Sequence, residues 1–225
     1  IACNHIEHWE TDLDLIADAG FAAYRFSFSW PRLFTDGKTT KNSQGFSFYD
    51  RLLDGMLDRG ILPFATLYHW DLPQNLADRG GWTNRETCKW FGDYTQAIMQ
   101  AFGDRLHSVA TINEPWCVSW LSHYLGHHAP GLQDLESAAR SMHLILVAHS
   151  NAIEVMRSFN QKNIGIVLNK EYMVPESGEE EDITACKLSD EIYKDLNEKQ
   201  KEYPAKYQYK MNNNNSFERG FGVLG

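Results

Sequence analysis

The chain has 225 residues, 43% of them hydrophobic and 13% aromatic, enough apolar material for one sizeable core and too much for a disordered segment. Its formal net charge of -9 argues against nucleic acid or an anionic membrane surface as partner, because both are bound through basic patches. No apolar run reaches the length of a membrane helix, and Cys3, Cys88, Cys117 and Cys186 include no C-x-x-C pair, which excludes a zinc ribbon or a small disulfide scaffold.

The cysteines read as reduced thiols. The chain opens on Ile1 instead of Met, inside what reads as an ongoing structural pattern, so a leader could have been lost and the compartment is left open, with the cytoplasm favoured. From residue 9 to about residue 196, helix-like and strand-like segments alternate, the pattern of parallel strands joined by covering helices.

Taken in chain order, Gly20 ends a first helix in the position that accepts a left-handed turn, and a strand is predicted over Ala22 to Ser29. Phe48, Leu52 and Met56 recur at steps of four on the next helix, closed by Gly60, and a second strand runs from Leu62 to Tyr68. Thr83 with Glu86 three residues on predicts a capping box. It would open a helix whose apolar face is Cys88, Phe91, Tyr94, Ile98 and Phe102. Ser108 to Ile112 is the third strand, ending directly before Asn113-Glu114-Pro115.

A longer helix is expected from Leu135 to Phe159, after the Ala129-Pro130-Gly131 turn, and a fourth strand from Asn163 to Leu168. The acidic run Glu179 to Asp182 suits a helix N-terminus, and a charged helix is predicted from Glu180 to about Asn197. From Glu198 onward the charge-rich stretch, three tyrosines and Asn212 to Asn215 show no apolar period. The domain reading is a barrel-type domain over 1–197 and a divergent, weakly ordered tail over 198–225. The fold class is α/β, a partial (β/α)8 barrel of about four βα units, since a closed barrel needs eight strands and typically about 250 residues.

A carboxyl group at the C-terminal end of a barrel strand is held by rigid backbone and faces the mouth of the fold. Glu114 is placed in this way, and glycoside hydrolysis is the chemistry it suggests, because breaking the glycosidic bond needs a protonated carboxyl to donate to the departing oxygen. That chemistry normally uses two carboxylates. Trp70, Trp116 and Trp120 stand in the motif-bearing loops, where indole faces could wall a site and stack on sugar rings.

Four segments, Tyr24 to Arg32, Thr66 to Pro73, Gly80 to Arg85 and Thr111 to Pro115, together resemble glycoside hydrolase family 1, the β-glucosidase family. The likeness runs from about Asn4 to Asn169 and takes in Asn42 to Asp50 and His128 to Gly131. It implies a retaining β-glycosidase with no cofactor and a β-linked glucoside as substrate. In that family the residue matching Glu114 is the general acid and base, and the match of Asn113 bonds the sugar 2-hydroxyl. His69 matches a residue that bonds sugar hydroxyls, Trp70 lines the same pocket, and Arg25 matches an arginine that holds the catalytic nucleophile. Asn169, Trp116 and His128 match positions on the leaving-group side.

Each of these residues also has a plainer reading. Glu114 could be a solvated loop carboxylate, Arg25 a buried ion-pair former, and Trp116 a core residue; Trp120 is read as core. His123 and His127 are spaced i, i+4 as helix metal ligands are, yet neither an H-E-x-x-H pattern nor a third ligand accompanies them, and no metal site is assigned.

The family's Gln-x-Glu-Gly strand and its Glu-Asn-Gly nucleophile motif do not occur in these residues. The segment Glu202-Tyr203-Pro204 only faintly echoes the expected continuation. The chain is therefore expected to be a fragment or a truncated product spanning the second to fifth barrel strands, with two open sheet edges that favour pairing with another copy. Without the nucleophile, hydrolysis is expected to be very weak or nil. A non-catalytic sugar-binding remnant and a non-functional truncated product are the alternatives, and a cellulase-like endoglycosidase is the runner-up among enzymes.

Overall fold

The computed structural model describes residues 3–169 and 173–188 and divides into two compact units, residues 1–168 and 169–225. The first unit contains α1 (His5–Asp18), β1 (Ala23–Ser27), the single turn α2 (Trp30–Leu33), α3 (Ser43–Asp58), β2 (Leu62–Tyr68) and the short α4 (Gln74–Ala77). A 3-10 turn over Gly81–Thr83 leads into α5 (Glu86–Phe102), and β3 (Ser108–Asn113) is followed by a wide π-type segment over Cys117–Tyr124. The unit closes with α6 (Leu135–Ser158) and β4 (Ile164–Val167).

The strands form one sheet in the order β1-β2-β3-β4, and each neighbouring pair is parallel. Consecutive parallel strands require a crossover between every pair, and the intervening helices supply it, which is the repeating unit of a (β/α) barrel wall. Register sets Arg25 opposite Phe64, Ser27 opposite Thr66 and Thr66 opposite Ala110. The β3–β4 ladder shifts register between Ala110 and Asn113. Such a break bends the strand and re-aims the side chains beyond it, here at the end of β3 that leads to Glu114.

The helical periods place their apolar faces inward. Phe48, Leu52 and Met56 of α3 are buried, as are Cys88, Phe91, Tyr94, Ile98 and Phe102 of α5. Between helices and sheet lies an aromatic layer in which Trp30 stacks on Tyr94 at 4.7 Å and Phe28 meets Tyr49 edge-on at 4.8 Å. The one polar end of Tyr94 is satisfied by donating to Leu67 O at 2.9 Å, so a full aromatic face is buried without an orphaned hydroxyl. Gly20 and Gly60 have φ of 77° and 71°, the left-handed turn that each helix end requires.

Two local expectations are corrected. The strand predicted over Ala22 to Ser29 ends at Ser27: Phe28 N still donates to Thr66 O at 2.9 Å, but Ser29 N donates to the Tyr49 hydroxyl at 2.7 Å instead of to a neighbouring strand, and Pro31 sits in the first turn of α2. The capping box predicted from Thr83 and Glu86 does not form: Thr83 Oγ1 donates to Gly80 O at 2.7 Å within the 3-10 turn, and Asn84 Oδ1 accepts from Glu86 N at 3.0 Å. Elsewhere the caps are side chains of the expected type, Asn42 accepting from Gln44 N for α3 and Asp134 accepting from Ser137 N for α6.

Among the glycines of this unit, Gly45 is the one whose added Cβ would come nearest to another backbone atom. A Cβ there would lie 2.2 Å from Arg32 O, the carbonyl that also accepts from Asn42 Nδ2 at 3.0 Å. Gly45→Ala is expected to destabilise by about 2 kcal/mol, read as a lower midpoint in urea with an unchanged slope; an unchanged midpoint would show that the loop before α3 yields freely.

In the second unit the described residues include a helix over 180–188, which begins where the acidic run predicts. Ser177 Oγ accepts from Glu179 N at 3.1 Å just ahead of it. The continuation to about Asn197, the boundary at 197/198 and the tail over 198–225 lie outside the described residues.

Candidate active site

Three strand ends bring the motif residues together. Arg25 leaves the middle of β1 and reaches across β2 to β3: its Nε donates to Thr66 Oγ1 at 3.0 Å and its Nη2 to Asn113 Oδ1 at 2.6 Å. The short second bond joins a guanidinium to a buried amide oxygen, the charge-assisted type that fixes orientation as well as contributing energy. With Oδ1 engaged, the Asn113 Nδ2 amide is the group turned over to donation. Thr66 and Asn113 are 0% and 3% exposed, so neither can swing away to relieve the contact.

Asn113 is also held by its backbone. Trp70 Nε1 donates to Asn113 O at 2.9 Å, so one indole fixes β3's last residue and presents its own face at the rim, where 39% of Trp70 is exposed. His69 stands edge-on to Trp70 with ring centroids 5.2 Å apart, and His128 is tilted against Trp70 at 5.2 Å. These three rings make an aromatic wall beside the Arg25–Asn113 pair. Burial pushes the His69 imidazole below its usual range, Arg25 adds to the effect and Glu114 opposes it; the neutral ring keeps one acceptor and one donor nitrogen for hydroxyl groups.

Glu114 follows at once. Its N–H donates to Val167 O at the end of β4 at 2.8 Å, and its backbone is left-handed, with φ 48°. Trp70 has φ 81°. Left-handed conformations at non-glycine residues cost on the order of 1 kcal/mol or more each and persist only where the surroundings over-determine them. Here they are over-determined by the Val167 contact and by the Trp70–Asn113 bond. Burial lowers the Arg25 guanidinium from its usual range, and the Glu114 carboxylate offsets part of that. The arrangement sets one carboxyl group beside a fixed amide, a fixed cation and a ring wall. It can donate a proton and hydrogen-bond hydroxyls within one small space.

The remaining expectations divide. Trp116 is half-buried in the turn between β3 and the π-type segment. Asn169 lies two residues beyond β4, in the second unit. Trp120, read as core, is corrected: it is half-buried and packs on Tyr124 at 4.9 Å, because the wide turns of the π-type segment carry it out of the core. His123 is buried with Nδ1 2.6 Å from Ser122 Oγ, while His127 is exposed beyond that segment. Among the described residues no group of three or more His, Cys, Asp or Glu is placed to hold a metal ion, and no helix is long and apolar enough to cross a membrane. Among the described residues none of Cys3, Cys88, Cys117 and Cys186 is in a disulfide.

Two contacts went unread in the sequence. Thr66 under Arg25 carries no signal of its own, and Cys117, whose Sγ lies 3.2 Å from Glu114 Oε2, passes for an ordinary buried thiol.

The family model for glycosyl hydrolase family 1 matches residues 1–219. β-Glucosidase A of Thermotoga maritima is 45% identical over 84% of this chain and 42% of its own length. The β-glucosidase of an Agrobacterium species is 49% identical over 83% of this chain and 41% of its own. A solved family 1 β-glucosidase from Thermotoga maritima, in complex with isofagomine lactam, superposes with a TM-score of 0.81 over 84% of this chain and 43% of that one. The chain thus spans less than half the length of the curated relatives it matches, and its four parallel strands with alternating helices are part of a (β/α)8 barrel. Arg25 within β1 and the strand-end residues His69, Trp70, Asn113 and Glu114 stand on that shared framework, and the chain belongs to glycosyl hydrolase family 1.

Proposed function

We propose that this chain carries the proton-donating and sugar-gripping part of a retaining β-glucosidase-type site. Glu114 is the general acid and base, Asn113 donates to the sugar 2-hydroxyl, and His69 bonds neighbouring hydroxyls while Trp70 gives the ring an apolar wall. Arg25 holds Asn113 and places positive charge where a nucleophilic carboxylate would bind. Trp116 and His128 serve the leaving-group side. The substrate class is a β-linked glucoside. The observation that carries the reading is the Arg25 Nη2–Asn113 Oδ1 bond of 2.6 Å directly before Glu114, since it fixes both the amide and the carboxyl-bearing backbone at one strand end. Hydrogen bonds to the sugar 2-hydroxyl strengthen as the transition state is approached.

Calorimetric titration with cellobiose tests the grip. Millimolar binding is expected for the wild type, with a loss of about tenfold in Asn113→Ala, the effect of one charge-supported hydrogen bond; absence of any heat at millimolar sugar would sink this reading. A non-catalytic sugar-binding remnant is the second reading. It is favoured by the lack of a Glu-Asn-Gly segment in the sequence, and it predicts the same heats without turnover.

A further inference from the structure

The two oxygens of Glu114 are not equivalent. Cys117 Sγ lies 3.2 Å from Oε2 with the thiol as donor, whereas Oε1 makes no hydrogen bond among the described residues. Cys117 is 6% exposed and opens the π-type segment. The chain between the two residues is pinned: Val118 N donates to Glu114 O at 3.3 Å, and Ser119 Oγ donates to Pro115 O at 2.8 Å. Together with Glu114's left-handed backbone, this fixes the main chain that carries both side chains. Wide π-type turns inserted beside strand ends recur at functional sites because they re-aim the side chains they carry.

We infer that Cys117 is a positioning residue for Glu114, resting on the proposed role of Glu114 as acid and base: its S–H commits Oε2 and leaves Oε1 as the oxygen that gives and takes the proton. A thiol suits this task because it is a weak, long-reaching donor. It can orient a carboxylate without competing strongly with the substrate for it. It also remains in contact when Glu114 has given up its proton, the state in which an acceptor oxygen gains most from a donor.

The S–H stretching band of Cys117 reads this contact directly in the infrared and requires no substrate. Subtracting the spectrum of Cys117→Ala from that of the wild type isolates the band. It is expected at lower frequency than the band of the exposed Cys3 thiol, isolated in the same way with Cys3→Ala, and it is expected to move upward when the solution is acidified. Because removing a buried thiol can itself loosen the segment, Glu114→Gln provides a second arm that keeps Cys117 in place; it is expected to move the band upward by neutralising the acceptor. A Cys117 band that ignores both acidification and Glu114→Gln overturns the inference, whatever the protein does to sugars. A responsive band in a protein that transfers no glucosyl group even to an added anionic nucleophile keeps the thiol–carboxyl contact and removes the acid role proposed for Glu114.

Discussion

Supplied with sodium azide, the chain is expected to convert phenyl β-glucoside into α-glucosyl azide, and Glu114→Gln is expected to slow that conversion about 10²- to 10⁴-fold, the usual contribution of general acid catalysis. The azide attacks the anomeric carbon from the face opposite the leaving oxygen, forming a C–N bond as the C–O bond breaks. The bonding pair goes to the phenol oxygen, which takes its proton from Glu114. An external anion is needed because β3 is the described strand whose end carries a glutamate, and no Glu-Asn-Gly segment occurs in the 225 residues. Without azide, hydrolysis is expected to stay at the Glu114→Gln level. Phenol, with a pKa of about 10 like the tyrosine side chain, leaves poorly as the anion and so depends on the acid. 2,4-Dinitrophenol leaves well unprotonated, so the dinitrophenyl glucoside is expected to lose little in the same variant. Equal losses for the two leaving groups would show that Glu114 does something other than donate a proton, and no α-glucosyl azide at all would favour the sugar-binding remnant.

How far the sequence reaches depends on the range of the physics involved. The bounds of β2 were readable because a mostly apolar run, Leu62 to Tyr68, lies between the helix-ending Gly60 and the loop that runs to Pro73, all within about a dozen residues of chain. The end of β1 was overestimated for the opposite reason: Phe28 and Trp30 are as apolar as the strand, and the decision falls to Ser29 N, which donates to the hydroxyl of Tyr49, 20 residues on. At the site, motif resemblance identified Arg25, His69, Asn113 and Glu114 as residue types, but not how they hold one another. The Arg25–Asn113 bond joins positions 88 apart in the chain, and only the parallel register of β1, β2 and β3 brings them together, with Thr66 as the support between. The left-handed backbones of Trp70 and Glu114 were equally unreadable, since neither residue type favours that conformation and tertiary contacts impose it. Cys117 looks like core filler until its distance to Glu114 Oε2 is known.

Between about pH 4 and pH 6 the stability of the wild type is expected to be nearly flat, and Asp71→Asn is expected to expose a fall of about 2–3 kcal/mol on acidification. Two half-buried groups with opposite signs produce this. His149 of α6 bonds Thr111 Oγ1 through Nδ1 at 2.8 Å, and burial, with Arg157 adding, pushes it down from 6.5 to about 4. The unfolded chain therefore binds more protons at this position between those values, so stability due to neutral His149 is complete above 6.5 and is lost as pH falls toward 4. Asp71 follows Trp70, and its Oδ1 is buried without a hydrogen-bond partner. Burial raises it from 3.8 to about 6, against hydrogen bonds from Ser29 and the backbone and the pull of Arg32. Here the folded chain binds more protons, so stability is greatest below 3.8 and declines as pH rises through 6. The two slopes oppose each other across the shared window, and each spans a little over two pH units. Asp71→Asn removes one of them while keeping the side chain's shape, leaving the His149 slope bare and raising stability at pH 7. His149→Gln should do the reverse, giving a protein more stable at pH 4.5 than at pH 7. Urea midpoints for the three proteins at half-unit pH steps distinguish these cases. Parallel curves for wild type and Asp71→Asn would mean that Asp71 ionises without cost, through relaxation of the rim around Trp70.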